Sequence, residues 1–496
     1  MNYAVRPSRP GATWLIPASI LVAAAYGTVS AVLGGSVALL LFAPLLPVLF
    51  VFRDFRIGVI LLALLLPLQR TPMLPSFTGF NIVNYLTLAT MAALIARVYF
   101  QPIRLAPFPH VFWWAYLLPI VLAGLLGVTR IDEVPARSLL LIGTAYATPK
   151  AYLAGLVIKP LFLIPAGWML GTAAINSKRP ATLVGVLAAA ALLPALAIIA
   201  FVAYNGFDLG ALSDSASRGT LDALGMHAND FGMLLGSSFA VLLFLLPALR
   251  GVAAAALLAC LGCLLLALML TFSRGGFALA AFGILAFALL ERKPRILFLT
   301  ALFTLAGLAV APEAVWDRIG TGANESLASI LSGSRQDMLT AGRVWLWSHL
   351  VPEFWKSPLW GSGVGSTAWS DLVKSGAVFY NHPHNLYLRI LLDVGILGMA
   401  LFAVFFIYLF RRLRQTARAP ATPPLFAALA RGTLVPLVGV VLPGLPKGQS
   451  SADAETSILW LAIGLLLPFF PARAAAAAPA AAPGGAFPPG MYHGSR

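Results

Sequence analysis

The sequence predicts an all-α polytopic membrane protein, and three observations lead to this fold class. Hydrophobic residues make up 60% of the 496 residues and charged residues 10%, whereas soluble domains hold about 45–50% apolar and about 25% charged residues. The mean hydropathy is +0.90. Apolar runs long enough to cross a bilayer as a helix, roughly 20 residues each, recur along the whole chain. These observations exclude an ordinary soluble enzyme or binding module.

The apolar runs predict about 12–14 transmembrane helices. Some runs are short, and these could be re-entrant or broken segments. The candidate spans cover 12–29, 35–52, 57–69, 82–98, 109–127, 152–174, 182–204, 230–249, 251–271, 275–290, 296–312, 386–410, 424–443 and 456–471.

Charged residues between the spans predict the orientation. Alternate loops are basic, such as those with Lys178/Arg179 and Arg411/Arg412, while the other set holds most of the acids, such as Asp132 and Glu133. Because cytoplasmic loops carry the excess of Lys and Arg, both termini are expected in the cytoplasm. The net charge of +16 then reflects this bias and arginines that meet an anionic substrate, so no nucleic-acid partner is expected.

The same pattern divides the chain into four parts. Residues 1–312 are predicted as transmembrane helices with short loops, the first of them a retained anchor. Residues 313–385 form a large loop with amphipathic helices on the outer side, which in a bacterium is the periplasm. Residues 386–473 are C-terminal transmembrane helices, and 474–496 are a disordered Ala/Pro-rich cytoplasmic tail.

The large loop contains a predicted amphipathic helix. Trp345, His349, Leu350 and Phe354 recur at spacings of three and four residues, which is typical of one helix face. Pro358 and the glycines at 361, 363 and 365 are expected to end the helical region. We expect this helix to lie on the membrane surface and to cover a cavity.

Several arginines are candidate anion ligands. Arg274 lies between two apolar runs and is followed by two glycines, so a helix could begin there and offer backbone N–H groups to a phosphate; the alternative is an arginine that anchors at the interface. Arg218 is either an anion ligand or a solvated loop charge. Arg335 and Arg343 could bind phosphate oxygens bidentately or pair with Asp337.

His382 and His384 are the strongest candidates for chemistry. A His-x-His pair could bind a metal, but the neighbouring sequence supplies no carboxylate or cysteine ligand, and no metal site is predicted. One histidine could be structural, and at least one could act as a general base or orient a substrate. Asn385 could hold an imidazole or a sugar hydroxyl, and Arg389 shares its helix face.

These residues form a pattern that resembles the shared domain of the O-antigen ligase and polymerase superfamily. The pattern starts at Ser273-Arg274-Gly275 and covers roughly 270–400. Its other parts are Arg343-Val344-Trp345, Pro358-Leu359-Trp360-Gly361-Ser362-Gly363-Val364-Gly365, His382-Pro383-His384-Asn385-Leu386-Tyr387-Leu388 and Asp393-Val394-Gly395-Ile396-Leu397-Gly398.

The resemblance implies a GT-C-type glycosyltransferase in the bacterial inner membrane, with its active site facing the periplasm. An O-antigen ligase would transfer O-antigen from undecaprenyl pyrophosphate to lipid A–core oligosaccharide in lipopolysaccharide biosynthesis. The reaction would be inverting and would need neither metal nor other cofactor. The catalytic residues implied are His384, His382 and Asn385, and the substrate-binding residues are Arg274, Arg218, Arg335, Arg343 and Arg389.

The resemblance leaves the acceptor open. An O-antigen polymerase uses the same donor with a lipid-linked acceptor, and a protein O-oligosaccharyltransferase uses a serine or threonine. The length, the number of spans and the single large loop near the C-terminus favour the ligase. A non-enzymatic transporter is disfavoured, because no inverted repeat with paired broken helices is evident in the sequence.

Overall fold

The computed structural model describes residues 50–72, 74, 76–77, 80–142, 144–206, 217–291, 298, 302, 343–378, 382–441 and 453–470. These residues are almost entirely helical. The exception within them is a pair of two-residue antiparallel strands, β1 (Ser76–Phe77) and β2 (Phe80–Asn81). The predicted all-α polytopic fold is confirmed.

The α-helices are numbered here in chain order. The first half of the chain contributes α1 (Phe55–Leu65), α2 (Ile82–Phe100), α3 (Leu118–Val128), α4 (Ala136–Ile142), α5 (Pro149–Tyr152), α6 (Lys159–Leu161), α7 (Leu163–Ile175) and α8 (Thr182–Asn205). The second half contributes α9 (Ala228–Leu243), α10 (Gly251–Thr271), α11 (Arg274–Glu291), α12 (Arg343–Trp355), α13 (Asp371–Lys374), α14 (Leu386–Arg418), α15 (Pro424–Val441) and α16 (Ser457–Leu466).

Short 3₁₀ and π-helical segments adjoin several of these α-helices. The 3₁₀ segments are Leu66–Leu68, Ile131–Glu133, Thr144–Tyr146, Ser217–Leu224, Leu246–Ala248, Ser366–Trp369, Ala454–Thr456 and Leu467–Phe469. The π-helical segments are Phe112–Leu117, which leads into α3, and Leu153–Ile158, which links α5 to α6.

The described helices match the predicted spans closely. Seven helical stretches are long and apolar enough to cross a membrane, and four shorter ones are apolar. They correspond to the predicted spans from 57–69 onwards. The predicted spans 12–29 and 296–312, and nearly all of 35–52, lie outside the described residues, so the predicted total of 12–14 stays a prediction.

Helix α9 lies at the centre of the bundle. Of the span Ala228–Ala248, 78% is buried, against 28–44% for the other six long spans. Small residues let its neighbour α11 approach closely: a Cβ on Gly232 would lie 2.2 Å from that of Ser273, and one on Gly236 would lie 2.6 Å from a carbonyl oxygen of α11. Such small residues are the usual contact between membrane helices. The packing fixes the first turn of α11 against α9.

Helix α14 is broken near its start. Gly395 has φ +69° and ψ −170°, so the helix consists of two pieces that meet there. The freed backbone N–H groups of Ile396 and Leu397 donate to the carbonyl oxygens of Pro358 (2.9 Å) and Leu359 (3.3 Å). Unpaired backbone groups are costly inside a membrane protein, and the loop after α12 satisfies them.

This glycine-rich loop, residues 358–365, also contacts the helix α3 region. The Val364 N–H donates to the carbonyl oxygen of Ala123 (3.2 Å), and the Tyr152 hydroxyl donates to the carbonyl oxygen of Val364 (2.6 Å). A Cβ on Gly363, whose φ is +104°, would lie 2.5 Å from the backbone of Gly127. The glycines are therefore required by close approach as well as by conformation.

The predicted helix is confirmed as α12. Of its predicted face, Leu350 is buried and Trp345 and Phe354 pack against the same cluster, whereas His349 is exposed. Leu346 and Leu350 are its buried residues, and they pack with Leu372, Leu388 and neighbouring side chains in a small hydrophobic cluster separate from the main core. The helix ends at Trp355, before Pro358, as the sequence predicts. It is thereby fixed against the beginning of α14.

Candidate functional site

Residues 382–385 form a tight turn that leads into α14. Asn385 caps this helix, because its side-chain oxygen accepts hydrogen bonds from the backbone N–H groups of Tyr387 (3.0 Å) and Leu388 (3.1 Å), donors that have no partner within the helix. His384 has a φ of +51°, in the left-handed region that few residues other than glycine adopt. The cap therefore holds the turn in an uncommon conformation, which is typical of functional sites.

The imidazole rings of His382 and His384 lie next to each other in this turn. Their centroids are 4.1 Å apart, with an angle of 58° between the ring planes, and both residues are half-buried. Two imidazoles at this distance can divide the work of a base, one accepting a proton while the other orients a hydroxyl. We call residues 382–385 the histidine turn.

Helix α12 holds the histidine turn from one side. The indole N–H of Trp347 donates to the carbonyl oxygen of Pro383 (2.8 Å), which lies between the two histidines. One turn of helix further on, Leu350 packs against Leu388, which follows the turn on α14. A hydrogen bond and an apolar contact therefore fix the turn relative to α12.

Arg274 is the first residue of α11, so the helix begins where the sequence predicts. The Ser273 hydroxyl accepts a hydrogen bond from the Gly276 N–H (3.3 Å) and so acts as a cap. The positive end of the helix dipole is therefore at Arg274. A guanidinium and a helix N-terminus coincide at this point.

Arg343, the first residue of α12, lies close to Arg274. Burial lowers the pKa of the Arg343 guanidinium, and the positive charge of Arg274 lowers it further. Within the described part of the chain, no carboxylate forms an ion pair with Arg343; the sequence alternative, Asp337, lies outside that part. Two guanidinium groups that repel each other in a half-buried position favour an anion between them.

The arginines and the histidine turn lie at the same end of the bundle. Trp347, which binds the turn, is four residues after Arg343 on α12, or about 6 Å along the helix axis. Arg343 is therefore connected to the histidine turn through Trp347 on the same helix, and to Arg274 through the repulsion of the two guanidinium groups.

Arg389 belongs to a buried polar network one turn into α14. Its Nε lies 3.5 Å from Asp393, which is 2% exposed. The other carboxylate oxygen of Asp393 accepts from the N–H groups of Gly365 (3.0 Å) and Ser366 (3.1 Å) and from the Ser366 hydroxyl (2.9 Å). A buried carboxylate needs such partners. The network ties the glycine-rich loop to the beginning of α14.

Tyr146 lies buried beside this network. Burial raises the pKa of its phenol; Arg389 opposes this effect and Asp393 adds to it. A Cβ on Gly365 would lie 2.4 Å from the Tyr146 hydroxyl. Gly365 is therefore needed for the phenol to pack against the glycine-rich loop.

Comparison with known proteins relates part of the second half of the chain to a known family. A family model described as O-antigen ligase matches residues 258–403. Residues 258–403 are therefore similar to this family, and we call them the O-antigen ligase domain. The family that the motifs predict is thereby confirmed, and the domain supports a function of the O-antigen ligase or polymerase type. No curated protein matches the chain.

The O-antigen ligase domain contains most of the predicted site. Arg274, Arg343, Arg389 and the histidine turn all lie within it. Asn385 uses its side-chain oxygen to cap α14, a role that the sequence analysis did not anticipate. Likewise, Arg389 contacts the carboxylate of Asp393, the first residue of the last part of the pattern. Their substrate contacts stay predictions.

Two predicted arginines are not placed at the site. Arg218 lies in the 3₁₀ segment Ser217–Leu224, before the O-antigen ligase domain, but its side chain is outside the described residues. Arg335 lies within the domain and outside the described residues. Both stay predictions.

The sequence analysis did not single out Arg70, which lies near the O-antigen ligase domain. Arg70 is hydrogen-bonded to Asp453, and its Nη1 lies 3.9 Å from Asp230; both carboxylates are buried. Asp230 is two residues before Gly232, whose backbone contacts Ser273. In the sequence, these three charged residues are distinguished only by lying at the ends of apolar runs. Many charged residues at such positions only anchor a helix at the membrane interface.

The described residues hold no group of three or more His, Cys, Asp or Glu side chains arranged to bind a metal ion. The expectation that the reaction needs no metal stays a prediction.

Proposed function

We propose that this protein is an O-antigen ligase, which transfers a glycan from undecaprenyl pyrophosphate to lipid A–core oligosaccharide. One observation carries the proposal. Within the O-antigen ligase domain, Arg343 is within electrostatic reach of Arg274 and begins the helix whose Trp347 holds the turn with the adjacent His382 and His384 rings. The two arginines can stabilise a diphosphate leaving group. The two histidines can accept the proton of an acceptor hydroxyl.

The arginines bind the diphosphate in this proposal. Cleavage of the bond between the anomeric carbon and the phosphate oxygen leaves negative charge on the undecaprenyl pyrophosphate. Fixed cations aimed at that charge lower the barrier, and guanidinium groups bind phosphate oxygens bidentately. Arg274 and Arg343 supply two such groups, and the N-terminus of α11 adds backbone N–H groups.

The histidines activate the acceptor. One imidazole accepts the proton of the acceptor hydroxyl as its oxygen attacks the anomeric carbon from the face opposite the diphosphate. The new glycosidic bond forms as the phosphate bond breaks, so the configuration inverts. The other imidazole orients the base or the acceptor. Asn385 keeps both in position by capping α14, and Arg389 completes the polar wall beside them.

The charge distribution supports a site on the outer face of the inner membrane. The predicted cytoplasmic loops are basic, and the histidine turn and the beginning of α11 lie at the other ends of the spans concerned. On that face the donor arrives already activated as a diphosphate.

The ligase proposal is distinguished from its alternatives by the acceptor. Purified protein is offered undecaprenyl pyrophosphate–linked glycan together with lipid A–core, a Ser/Thr-containing peptide or a second lipid-linked glycan, in separate reactions. We expect product with lipid A–core alone. Product on the peptide would make the protein an O-oligosaccharyltransferase, and lengthening of the lipid-linked glycan would make it a polymerase. If the donor stays intact in every reaction, glycan transfer itself is refuted.

Chelation tests the role assigned to the arginines. Because guanidinium groups stabilise the leaving diphosphate, transfer should proceed at the same rate, within about twofold, in EDTA as in magnesium. The rate of product formation is measured in both conditions, with re-addition of metal as the control. A rate that collapses in EDTA and recovers with magnesium would contradict this assignment.

A further inference from the structure

A polar pocket opens beside the candidate site and is not explained by the chemistry above. Its volume is about 90 Å³, well below the roughly 300–1,000 Å³ of sites that enclose drug-sized ligands. It has room for one small polar unit. The residues that carry the argument are Glu133, Glu353, Ser362, Thr367, Trp369 and Lys374.

The charges around the pocket are paired with each other. Lys374 lies 2.6 Å from a carboxylate oxygen of Glu133, and Arg130 lies 3.9 Å from the other oxygen. Lys356 lies 2.9 Å from Glu353 and 2.7 Å from Asp371, so three cations face three carboxylates. Each cation is therefore already neutralised, in contrast to Arg343. Such a lining offers both donors and acceptors but no excess positive charge, which favours a neutral polyhydroxylated ligand over a phosphate.

Trp369 supplies a donor that needs a ligand. The residue is 4% exposed, and its Nε1 is buried with no hydrogen-bond partner among the described residues. A buried N–H without a partner is destabilising, and each such group in a native structure calls for an explanation. An acceptor oxygen from a ligand would satisfy it, while the indole ring itself packs against Tyr146 and Tyr152.

Helix α12 relates the pocket to the reaction centre. Arg343 lies at its beginning, Trp347 binds the histidine turn, and Glu353 at the pocket lies six residues further on, about 9 Å along the axis. On α14, Leu392 lines the pocket seven residues after Asn385, again about 10 Å from the turn. An oligosaccharide can span this distance.

The order along α12 assigns the pocket to the acceptor. Arg343, the histidine turn and the pocket follow one another in that sequence. In an inverting transfer the acceptor approaches from the side opposite the diphosphate. The pocket lies beyond the histidine turn as seen from Arg343, which is the side on which we expect the acceptor.

We propose that this pocket is a subsite for a neutral sugar unit of the acceptor oligosaccharide, held by the Trp369 indole N–H, hydroxyl groups and the paired charges. The inference rests on the proposed function. It adds a specificity-determining site remote from the reacting atoms, so its loss should weaken acceptor binding and leave the chemical step intact.

The test uses two pocket variants of the full-length protein in detergent. Trp369→Phe keeps the aromatic ring and removes the N–H; Lys374→Met breaks the surface pair with Glu133 with little risk to folding. Trp355→Phe is the matched control, because Trp355 is 69% exposed and does not line the pocket. Transfer kinetics are measured against lipid A–core and against donor, and binding of deacylated core oligosaccharide is measured by calorimetry without donor.

For each pocket variant we expect the acceptor KM to rise about tenfold, as loss of one hydrogen bond to the sugar predicts. The kcat and donor KM should stay within about twofold of wild type, and oligosaccharide binding should weaken in parallel. A rise in donor KM instead would assign the pocket to the donor glycan and overturn the proposal, as would unchanged acceptor KM and binding. If no acceptor is glycosylated by wild type, the proposed function fails, and loss of oligosaccharide binding in the variants still decides the pocket.

Discussion

His382 and His384 lie side by side in the turn that precedes α14, and their replacement tests the base directly. His382→Ala or His384→Ala should lower kcat by about 10²–10⁴-fold, because the acceptor hydroxyl loses its proton acceptor or the group that orients it. Transfer is measured with purified, correctly inserted protein. His349→Ala is the matched control, since His349 lies exposed on α12 and should be active. Wild-type rates from both turn variants would remove the base assignment.

The guanidinium groups of Arg274 and Arg343 are expected to matter for their shape as well as their charge. Arg274→Lys and Arg343→Lys should each reduce kcat by about 10–100-fold, because a point charge cannot reproduce a bidentate fork on phosphate. The exposed loop residue Arg179 provides the control: Arg179→Lys should leave the rate unchanged. Near-normal activity of Arg274→Lys would return Arg274 to the role of an interface anchor.

Sequence motifs identify the reactive residues better than the residues that hold them. His382, His384, Arg274 and Arg343 are distinguishable because polar groups are rare in an apolar chain. Arg389 and Asp393 are one helical turn apart, so their contact can be predicted from the spacing. The other partner of Asp393, Ser366, lies on a different segment. Such long-range contacts depend on packing that neither periodicity nor composition encodes.

Among the elements, the break in α14 determines the shape of the site. Gly395→Ala should destabilise the protein by more than about 1 kcal/mol, because φ is positive there and the new Cβ would lie 2.3 Å from the Leu359 carbonyl oxygen. Gly262→Ala on α10 is the matched control: a Cβ there has no neighbour within 4 Å, so stability should be equal or slightly higher. Thermal unfolding in detergent compares the two.

Hydropathy predicts where helices lie but not where they break. The spans at 182–204 and 251–271 match α8 and α10 within a residue or two, since roughly 20 apolar residues have no other stable conformation in a bilayer. The break at Gly395 follows from the insertion of residues 358–365 between helices. Glycine spacing signals an irregular loop, but the sequence does not reveal which helix it enters.

The whole molecule is expected to have its histidine turn outside the cytoplasm. In a variant in which the free thiols Cys260 and Cys263 are replaced by alanine, Asp132→Cys should react with a membrane-impermeant maleimide in spheroplasts. Lys178→Cys should react only after permeabilisation, because its loop is basic and predicted to be cytoplasmic. Both positions are exposed. The reverse labelling pattern would place the histidine turn on the side where no lipid A–core acceptor is presented.

The glycine-rich loop also limits how this domain can be moved between proteins. Residues 358–365 lie inside the stretch that the family model covers, yet their backbone is bound by Ala123 and by the hydroxyl of Tyr152, both encoded far upstream. A graft of 258–403 into a foreign bundle would leave those backbone groups without partners. Successful chimeras should therefore carry the segment around 112–152 along with the domain, because the family's sequence boundary is not a boundary of folding.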